Sequence, residues 1–147
     1  MEYVLLTEAH PLWKTAMEYA RQCTWRAGSY LAGEMEKGFL SDWERVVLAI
    51  NEAGEPVGFC TVVKRDCIPD PALFPLIGFV FIDESCRGRR LGGAMIDFAA
   101  AYLRNLGFDR VYLGSDHMGL YEKYGFRPIG NFQSIHGGEE MAFVREL

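Results

Sequence analysis

Short apolar runs bounded by turn residues alternate along the sequence with longer segments of helical spacing. The short runs predict strands at 3–6, 45–50, 57–63, 76–82, 111–113, 126–132 and 141–147. Apolar residues three and four positions apart predict helices after His10-Pro11, at 31–43 and from Leu91 to a stop at Gly107, with a short helix at 119–124. The strand at 76–82 is almost continuously apolar, so we expect it to be buried on both faces.

Chain length and charge narrow the class of protein. The 147 residues contain no internal repeat and no long linker, which predicts one domain over 1–147. Twenty acidic and fifteen basic residues give a net charge of −5, which opposes binding to nucleic acid. The apolar run at 72–82 is far shorter than the roughly 20 residues of a membrane span, and no signal peptide is recognisable. We therefore expect a cytoplasmic protein without a membrane partner.

The four cysteines, Cys23, Cys60, Cys67 and Cys86, show neither a CxxC pair nor a histidine doublet at zinc-site spacing. This spacing predicts no metal site and favours reduced thiols that serve mostly as packing residues. Cys86 is followed by three arginines within four positions, which favour a thiolate, so a reactive thiol is the alternative to a small loop residue there.

The junction between strand 76–82 and the helix at Leu91 carries the clearest chemical signal. Its sequence is Arg87-Gly88-Arg89-Arg90-Leu91-Gly92-Gly93. The first N–H groups of a helix have no internal partner and lie at the positive end of its dipole, and glycine allows a phosphate to approach the backbone. Neither the dinucleotide fingerprint nor the P-loop pattern is present. The junction predicts a pyrophosphate site, and the alternative is a solvated basic turn with glycines that pack the helix.

This RGRRLGG segment after a buried strand, followed later by GLYEKYGF, resembles the GNAT superfamily of acyl-CoA-dependent N-acyltransferases over about 45–147. The resemblance implies an α/β (α+β) single domain with a central, mixed, mostly antiparallel, splayed sheet of six to seven strands, flanked by about four helices. It also implies acetyl-CoA as the cofactor.

The resemblance carries cofactor roles to particular residues. The family motif Gln/Arg-x-x-Gly-x-Gly/Ala places Arg87 first and Gly92 last, and Arg90 replaces the first glycine. We expect binding to survive this replacement, on the condition that Arg90 keeps a negative φ. The strand end is expected to pair its backbone with the pantetheine arm, in a gap formed where it splays from strand 111–113. The residues implied in cofactor binding are Val80, Phe81, Ile82, Arg87, Gly88, Arg89, Arg90, Leu91, Gly92 and Gly93.

The same resemblance implies direct transfer to an amine, with Tyr121 as the acid that protonates the leaving thiolate. A packing tyrosine on an amphipathic helix is the alternative. The general base stays open between a water relay and His117, with Asp66 and Asp70 as weaker candidates.

Where many relatives carry a pantetheine-contacting asparagine, seven positions before the tyrosine, this sequence has Gly114. Ser115 or Asp116 is the candidate substitute, although an aspartate just before a short helix, as Asp116 is, is more often an N-cap.

The acceptor is predicted only as a primary amine on a small molecule or a peptide. Three tryptophans, Trp13, Trp25 and Trp43, lie in the amino-terminal region that shapes the acceptor pocket in this superfamily; core packing is the alternative. A different class of function is a catalytically silent acyl-CoA sensor or protein-interaction module. A homodimer through the strand at 141–147, interpreted as a sheet edge, is a further hypothesis.

Overall fold

The computed structural model describes residues 1–147 and contains seven strands, three α-helices and two short 3₁₀ helices. The strands are β1 (Glu2–Leu6), β2 (Arg45–Ile50), β3 (Pro56–Val63), β4 (Leu76–Ile82), β5 (Arg110–Ser115), β6 (Arg127–Gln133) and β7 (Glu139–Glu146). The α-helices are α1 (Trp13–Gln22), α2 (Arg26–Lys37) and α3 (Leu91–Asn105), and the 3₁₀ helices are Glu84–Cys86 and Tyr121–Tyr124. The predicted fold class is confirmed.

The strands form one sheet in the order β1-β2-β3-β4-β5-β7-β6. Strands β4 and β5 run parallel, whereas β1–β2, β5–β7 and β6–β7 are antiparallel. The β4–β5 register consists of the single pair Leu76–Tyr112, the short pairing expected of splayed strands. The expectation that 141–147 forms a sheet edge is wrong, because β7 pairs with β5 on one side and β6 on the other.

The chain divides into two compact units. Unit 1 comprises Met1–Thr61 and Phe79–Met95, and unit 2 comprises Val62–Gly78 and Ile96–Leu147. The core of unit 1 joins α1 and α2 to β2 and β3 through Leu31, Leu48 and Phe59, each at most 1% exposed. Burial of such side chains is the main term that favours folding.

The carboxyl-terminal end of α3 is capped at Gly107, the residue that predicts the end of the helix in the sequence. Gly107 has φ +102, the Gly107 N–H donates to the Arg104 carbonyl, and the Phe108 N–H donates to the Leu103 carbonyl. These two bonds form a Schellman motif, which favours glycine at the position after the helix. The glycine that the sequence analysis used as a stop signal therefore has this structural role.

Helix α2 corrects the prediction of a helix at 31–43. It begins at Arg26 and ends at Lys37, where Gly38 adopts φ +75 and its N–H donates to the Met35 carbonyl. Trp25 precedes the helix and provides no capping hydrogen bond, so the usual start signal is missing. Gly38 ends α2 by the same rule as Gly107 ends α3, and it is the sequence signal that places the end of the helix before 43.

Candidate functional site

Strand β4 presents part of its backbone away from β3. The Asp83 N–H donates to the Val57 carbonyl at 2.8 Å, and a Cβ built on Gly58 would lie 2.6 Å from the Phe81 carbonyl oxygen. Backbone groups alternate in direction along a strand, so the N–H and C=O groups of Val80 and Ile82 point to the opposite side. That edge is the one a pantetheine arm would need to extend the sheet.

Burial along β4 is interrupted in the middle of the strand. Five of its seven residues are buried, while Phe79 and Val80 are half-buried. Phe79 also has φ +50, in the left-handed region that a side chain other than glycine rarely adopts. The expected burial on both faces is therefore lost at the two residues that precede Phe81, and the backbone is strained there.

The β4–α3 loop, residues 83–90, is anchored at its start by Asp83. The Asp83 carboxylate accepts hydrogen bonds from the Ser85 N–H at 3.1 Å, from the Ser85 hydroxyl at 2.8 Å and from the Tyr19 hydroxyl at 3.1 Å. The bonds from Ser85, the largest cause, and that from Tyr19 lower the pKa of the Asp83 carboxyl and keep it charged. The Thr24 hydroxyl donates to Glu84 at 2.8 Å, so the α1–α2 segment is tied to this loop at two points.

Arg87 folds back on the end of β4. Its Nε donates to the Ile82 carbonyl at 3.0 Å, and its Cζ lies 5.6 Å from the centroid of the Phe81 ring. A guanidinium can place its charge over an aromatic ring and at the same time direct an N–H bond from Nε to a carbonyl. Arg87 therefore fixes the loop against the strand as well as supplying positive charge.

The loop then enters α3 through Arg90. The expectation that Arg90 keeps a negative φ is wrong, because its φ is +59. Its carbonyl accepts the Ala94 N–H at 3.2 Å, which places Leu91, Gly92 and Gly93 in the first turn of the helix. Gly88 is also left-handed, with φ +85. The family's glycine at position 90 matches this conformation, and the arginine adopts it at an energetic cost.

Both candidate catalytic residues lie in unit 2, whereas all ten predicted cofactor-binding residues lie in unit 1. The Tyr121 ring is 6% exposed and lies about 6 Å, centroid to centroid, from the rings of Tyr124, Phe126 and Phe143. His117 is exposed, and its backbone N–H donates to the Ser115 hydroxyl at 3.0 Å. The packing environment of Tyr121 is thus a core environment, in which an acid role rests on the hydroxyl alone.

Position 114 explains the missing asparagine. A Cβ built on Gly114 would lie 2.5 Å from the Cys67 sulfur and 2.7 Å from the Phe132 ring, so a larger side chain does not fit without rearrangement. The hydroxyl of Ser115 is engaged by His117, and Asp116 is exposed. Asp116 does not cap the 3₁₀ helix, which starts after Leu120 without a side-chain cap.

The remaining candidate bases belong to two different environments. Asp70 is exposed and accepts the Ala72 N–H at 3.0 Å, a local turn contact. Asp66 accepts the Cys67 N–H at 2.6 Å, and burial raises the pKa of its carboxyl. Burial also raises the pKa of the Cys60 and Cys67 thiols, which keeps both protonated and agrees with a packing role.

Comparison with known proteins decides the family. The profile of the Acetyltransferase (GNAT) family matches residues 7–126. The chain belongs to the GNAT acetyltransferase family. No curated protein matches the sequence. No helix of this GNAT chain combines the length and apolar character that spanning a membrane demands.

Solved structures share the GNAT fold at low sequence identity. The chain is similar to an aminoglycoside 6'-acetyltransferase type Ii, with TM-score 0.76, 19% identity, and 99% and 97% of the two chains covered. It is also similar to an aminoglycoside 6'-N-acetyltransferase complexed with coenzyme A, with TM-score 0.73, 16% identity and the same coverage. An acyl-CoA N-acyltransferase from Pseudomonas aeruginosa gives TM-score 0.69 and 17% identity, with 98% of each chain covered. At such identities the likeness shows the fold.

Three features of the site were not predicted from the sequence. The Asp83 anchor had a readable signal, since Asp-x-Ser after a strand is a common turn-capping pattern. The fold-back of Arg87 and the positive φ of Phe79 had none, because both depend on which residues of β3, β4 and the α1–α2 segment become neighbours.

Proposed function

We propose that this protein is an N-acetyltransferase that moves an acetyl group from acetyl-CoA to a primary amine. The observation that carries the proposal is the combination, on one strand and loop, of outward-facing backbone groups at Val80 and Ile82 with the glycine- and arginine-rich entry to α3. Family membership supports it, and so does the neighbour that was solved with coenzyme A.

The residues at the loop fit a pyrophosphate group. The amides of Leu91, Gly92 and Gly93 lie in the first turn of α3, where N–H groups lack helical partners. The left-handed Gly88 and Arg90 shape the turn before them, and the exposed Arg89 adds charge. A diphosphate in this turn would receive backbone hydrogen bonds and the favourable end of the helix dipole.

Acetyl-CoA supplies an activated thioester carbonyl, and the chain's own groups act around it. The outward-facing N–H groups of Val80 and Ile82 would hold the pantetheine arm and would donate to the thioester carbonyl oxygen. Tyr121 returns a proton to the departing thiolate sulfur, and a water relay or His117 receives the proton from the attacking amine. No covalent bond to the protein is formed in direct transfer.

The acceptor is a small-molecule or peptide amine. Aminoglycosides belong in the first panel because two structural neighbours are aminoglycoside acetyltransferases. Polyamines, amino acids and short peptides complete it.

The test is to incubate the protein with acetyl-CoA and this panel, and to search by mass spectrometry for a product heavier by one acetyl group. Product mass is preferable to thiol dyes, because the protein's own half-buried cysteines, Cys23 and Cys86, would react with them. An acetylated amine supports the proposal. A rise in melting temperature with acetyl-CoA but no product from any amine would favour the silent sensor instead.

A further inference from the structure

Three aromatic side chains of unit 1 form a continuous, partly exposed surface, here named the aromatic face: Trp25, Tyr30 and Phe79. The Tyr30 and Phe79 rings are stacked at 17° with centroids 6.1 Å apart. The Trp25 and Phe79 rings meet edge to face at 6.3 Å. Trp25 is 37% exposed and Tyr30 is 53% exposed, so both residues that contact the Phe79 ring are accessible to solvent.

Buried rings support the aromatic face from beneath. Trp25 stacks on Phe81 at 5° and 6.0 Å, and on Phe59 at 22° and 6.3 Å. Phe59 and Phe81 stack on each other at 5.3 Å, and both are buried. A ring held in this way has little freedom to reorient, so the exposed surface of Trp25 is preorganised.

Two local rules are broken at this face. Trp25 occupies the position before α2, where serine, threonine or aspartate would cap the helix, and the neighbouring Thr24 donates to Glu84 instead. Phe79 holds a positive φ in the middle of a strand. Departures from local preference that converge on one surface are expected at functional sites.

The face lies beside the backbone that the proposed function assigns to the pantetheine arm, since Phe79 directly precedes Val80–Ile82. Two acidic residues follow on the same segment: Asp83 accepts from Tyr19 and Ser85, and Glu84 accepts from Thr24. Ring contact is the interaction that Trp25, Tyr30 and Phe79 offer in common at this surface.

We propose that the aromatic face binds the acceptor and selects a primary amine carried on a planar, apolar group. This inference rests on the proposed function and names its acceptor class. Planar rings stack or meet edge to face with exposed aromatic side chains, and such contacts add to ordinary burial of apolar surface. An amine attached one or two carbons from such a ring would then lie beside Phe79 and Val80.

The test compares 2-phenylethylamine with butylamine, two primary amines that differ in the presence of the ring. We expect kcat/KM for the aromatic amine to exceed that for butylamine at least tenfold in the wild-type chain. Tyr30→Leu and Trp25→Leu should each lower this ratio at least threefold. Phe74→Leu is the control: Phe74 lies in unit 2 and is 37% exposed, as Trp25 is, so its replacement should leave the ratio unchanged. Near-ultraviolet circular dichroism verifies that each variant is folded.

Equilibrium binding of the two amines, measured by calorimetry in the presence of coenzyme A, separates this inference from the proposed function. If neither amine is acetylated but another amine of the panel is, the proposed function stands and the aromatic face is overturned as a selector of aromatic amines. If no amine of the panel is acetylated, the proposed function fails, and binding alone then decides the inference. Tighter binding of 2-phenylethylamine that weakens in Tyr30→Leu supports the aromatic face. Equal kcat/KM and equal binding for both amines, or a ratio that Tyr30→Leu leaves unchanged, overturns it.

Discussion

The β4–α3 loop of unit 1 and the surroundings of Tyr121 in unit 2 are built by opposite means. The loop is tied down at Asp83 and Arg87, and the residues from Gly88 to Arg90 are exposed. Around Tyr121 the side chains are packed ring against ring, and Gly114 leaves no room for a Cβ. Backbone conformation thus determines the structure of the loop, and side-chain volume determines the packing around Tyr121. Substitutions that alter volume should damage unit 2, whereas substitutions that alter φ should alter the loop.

The largest effect is expected from Gly114→Asn, which restores the residue common in the family. The new side chain would collide with the Cys67 sulfur and the Phe132 ring, so we expect a loss of about 3 kcal/mol in the free energy of unfolding. Urea denaturation measures it. The control is Gly33→Asn, where no atom lies within 4 Å of a built Cβ. Equal stability of the two variants would show that volume does not limit position 114.

Removal of one hydroxyl should have the next largest effect. Tyr121→Phe keeps the packed ring, and we expect it to lower kcat at least tenfold, about 1.4 kcal/mol in the barrier, with little change in acetyl-CoA affinity. Tyr124→Phe is the matched control, since its ring lies 6.2 Å from that of Tyr121. An equal turnover rate in wild type and Tyr121→Phe would assign Tyr121 to packing alone.

Backbone strain in the loop predicts a gain in stability. Arg90→Gly should raise the free energy of unfolding by about 0.5–1 kcal/mol, because glycine adopts φ +59 without the penalty paid by arginine. Gly88→Ala should lower the free energy of unfolding by about 1 kcal/mol, because alanine rarely adopts φ +85. No atom lies within 4 Å of the new Cβ, so this cost arises from the backbone alone. Thermal and urea unfolding of both variants measure the pair. A loss of stability in Arg90→Gly would contradict the strain.

The smallest effect concerns pH and Asp66. Burial raises the pKa of this carboxyl, although the Cys67 N–H and the charge of His136 lower it in part. The folded state therefore binds the proton more tightly than the unfolded state. The Asp66 contribution to stability is fully present below the ordinary aspartate pKa of about 3.9 and declines as pH rises through the raised value.

Asp66→Asn should remove that decline. The stability of wild type relative to the variant is expected to fall as pH rises above the ordinary aspartate pKa, as measured by urea unfolding from acidic to neutral pH. Glu140 remains in both proteins; burial raises its pKa most, and the charges of Asp116 and Asp66 raise it further, so the loss of the Asp66 charge is part of the measured difference. A difference that does not change with pH would contradict the buried environment of Asp66.

The two regions also differ in how far the sequence predicted them. The loop was readable because its signals are local: glycines, arginines and a helix start lie within a few residues of one another. Strand β5 was predicted only at 111–113 because Gly114 interrupts the apolar pattern, although the strand runs to Ser115. The place of β7 between β5 and β6 was not predictable from β-propensity, which identifies strands but does not order them in a sheet.

The aromatic face shows the same limit from another side. Trp25, Tyr30 and Phe79 are spread over more than fifty positions, and nothing in their spacing announces that their rings meet. Only the packing of Trp25 onto Phe59 and Phe81 brings them together. Local motifs can be predicted from the sequence, whereas a surface that packing assembles from distant residues can be recognised only once the fold is known.

Amide hydrogen exchange of the full chain with and without saturating acetyl-CoA tests the central claim most directly, because it observes backbone groups rather than products. We predict slower exchange at Val80–Ile82 and at Arg87–Gly93 when acetyl-CoA is present. Binding that raises the melting temperature while leaving exchange in both segments unchanged would contradict the assignment of the cofactor to this strand and loop.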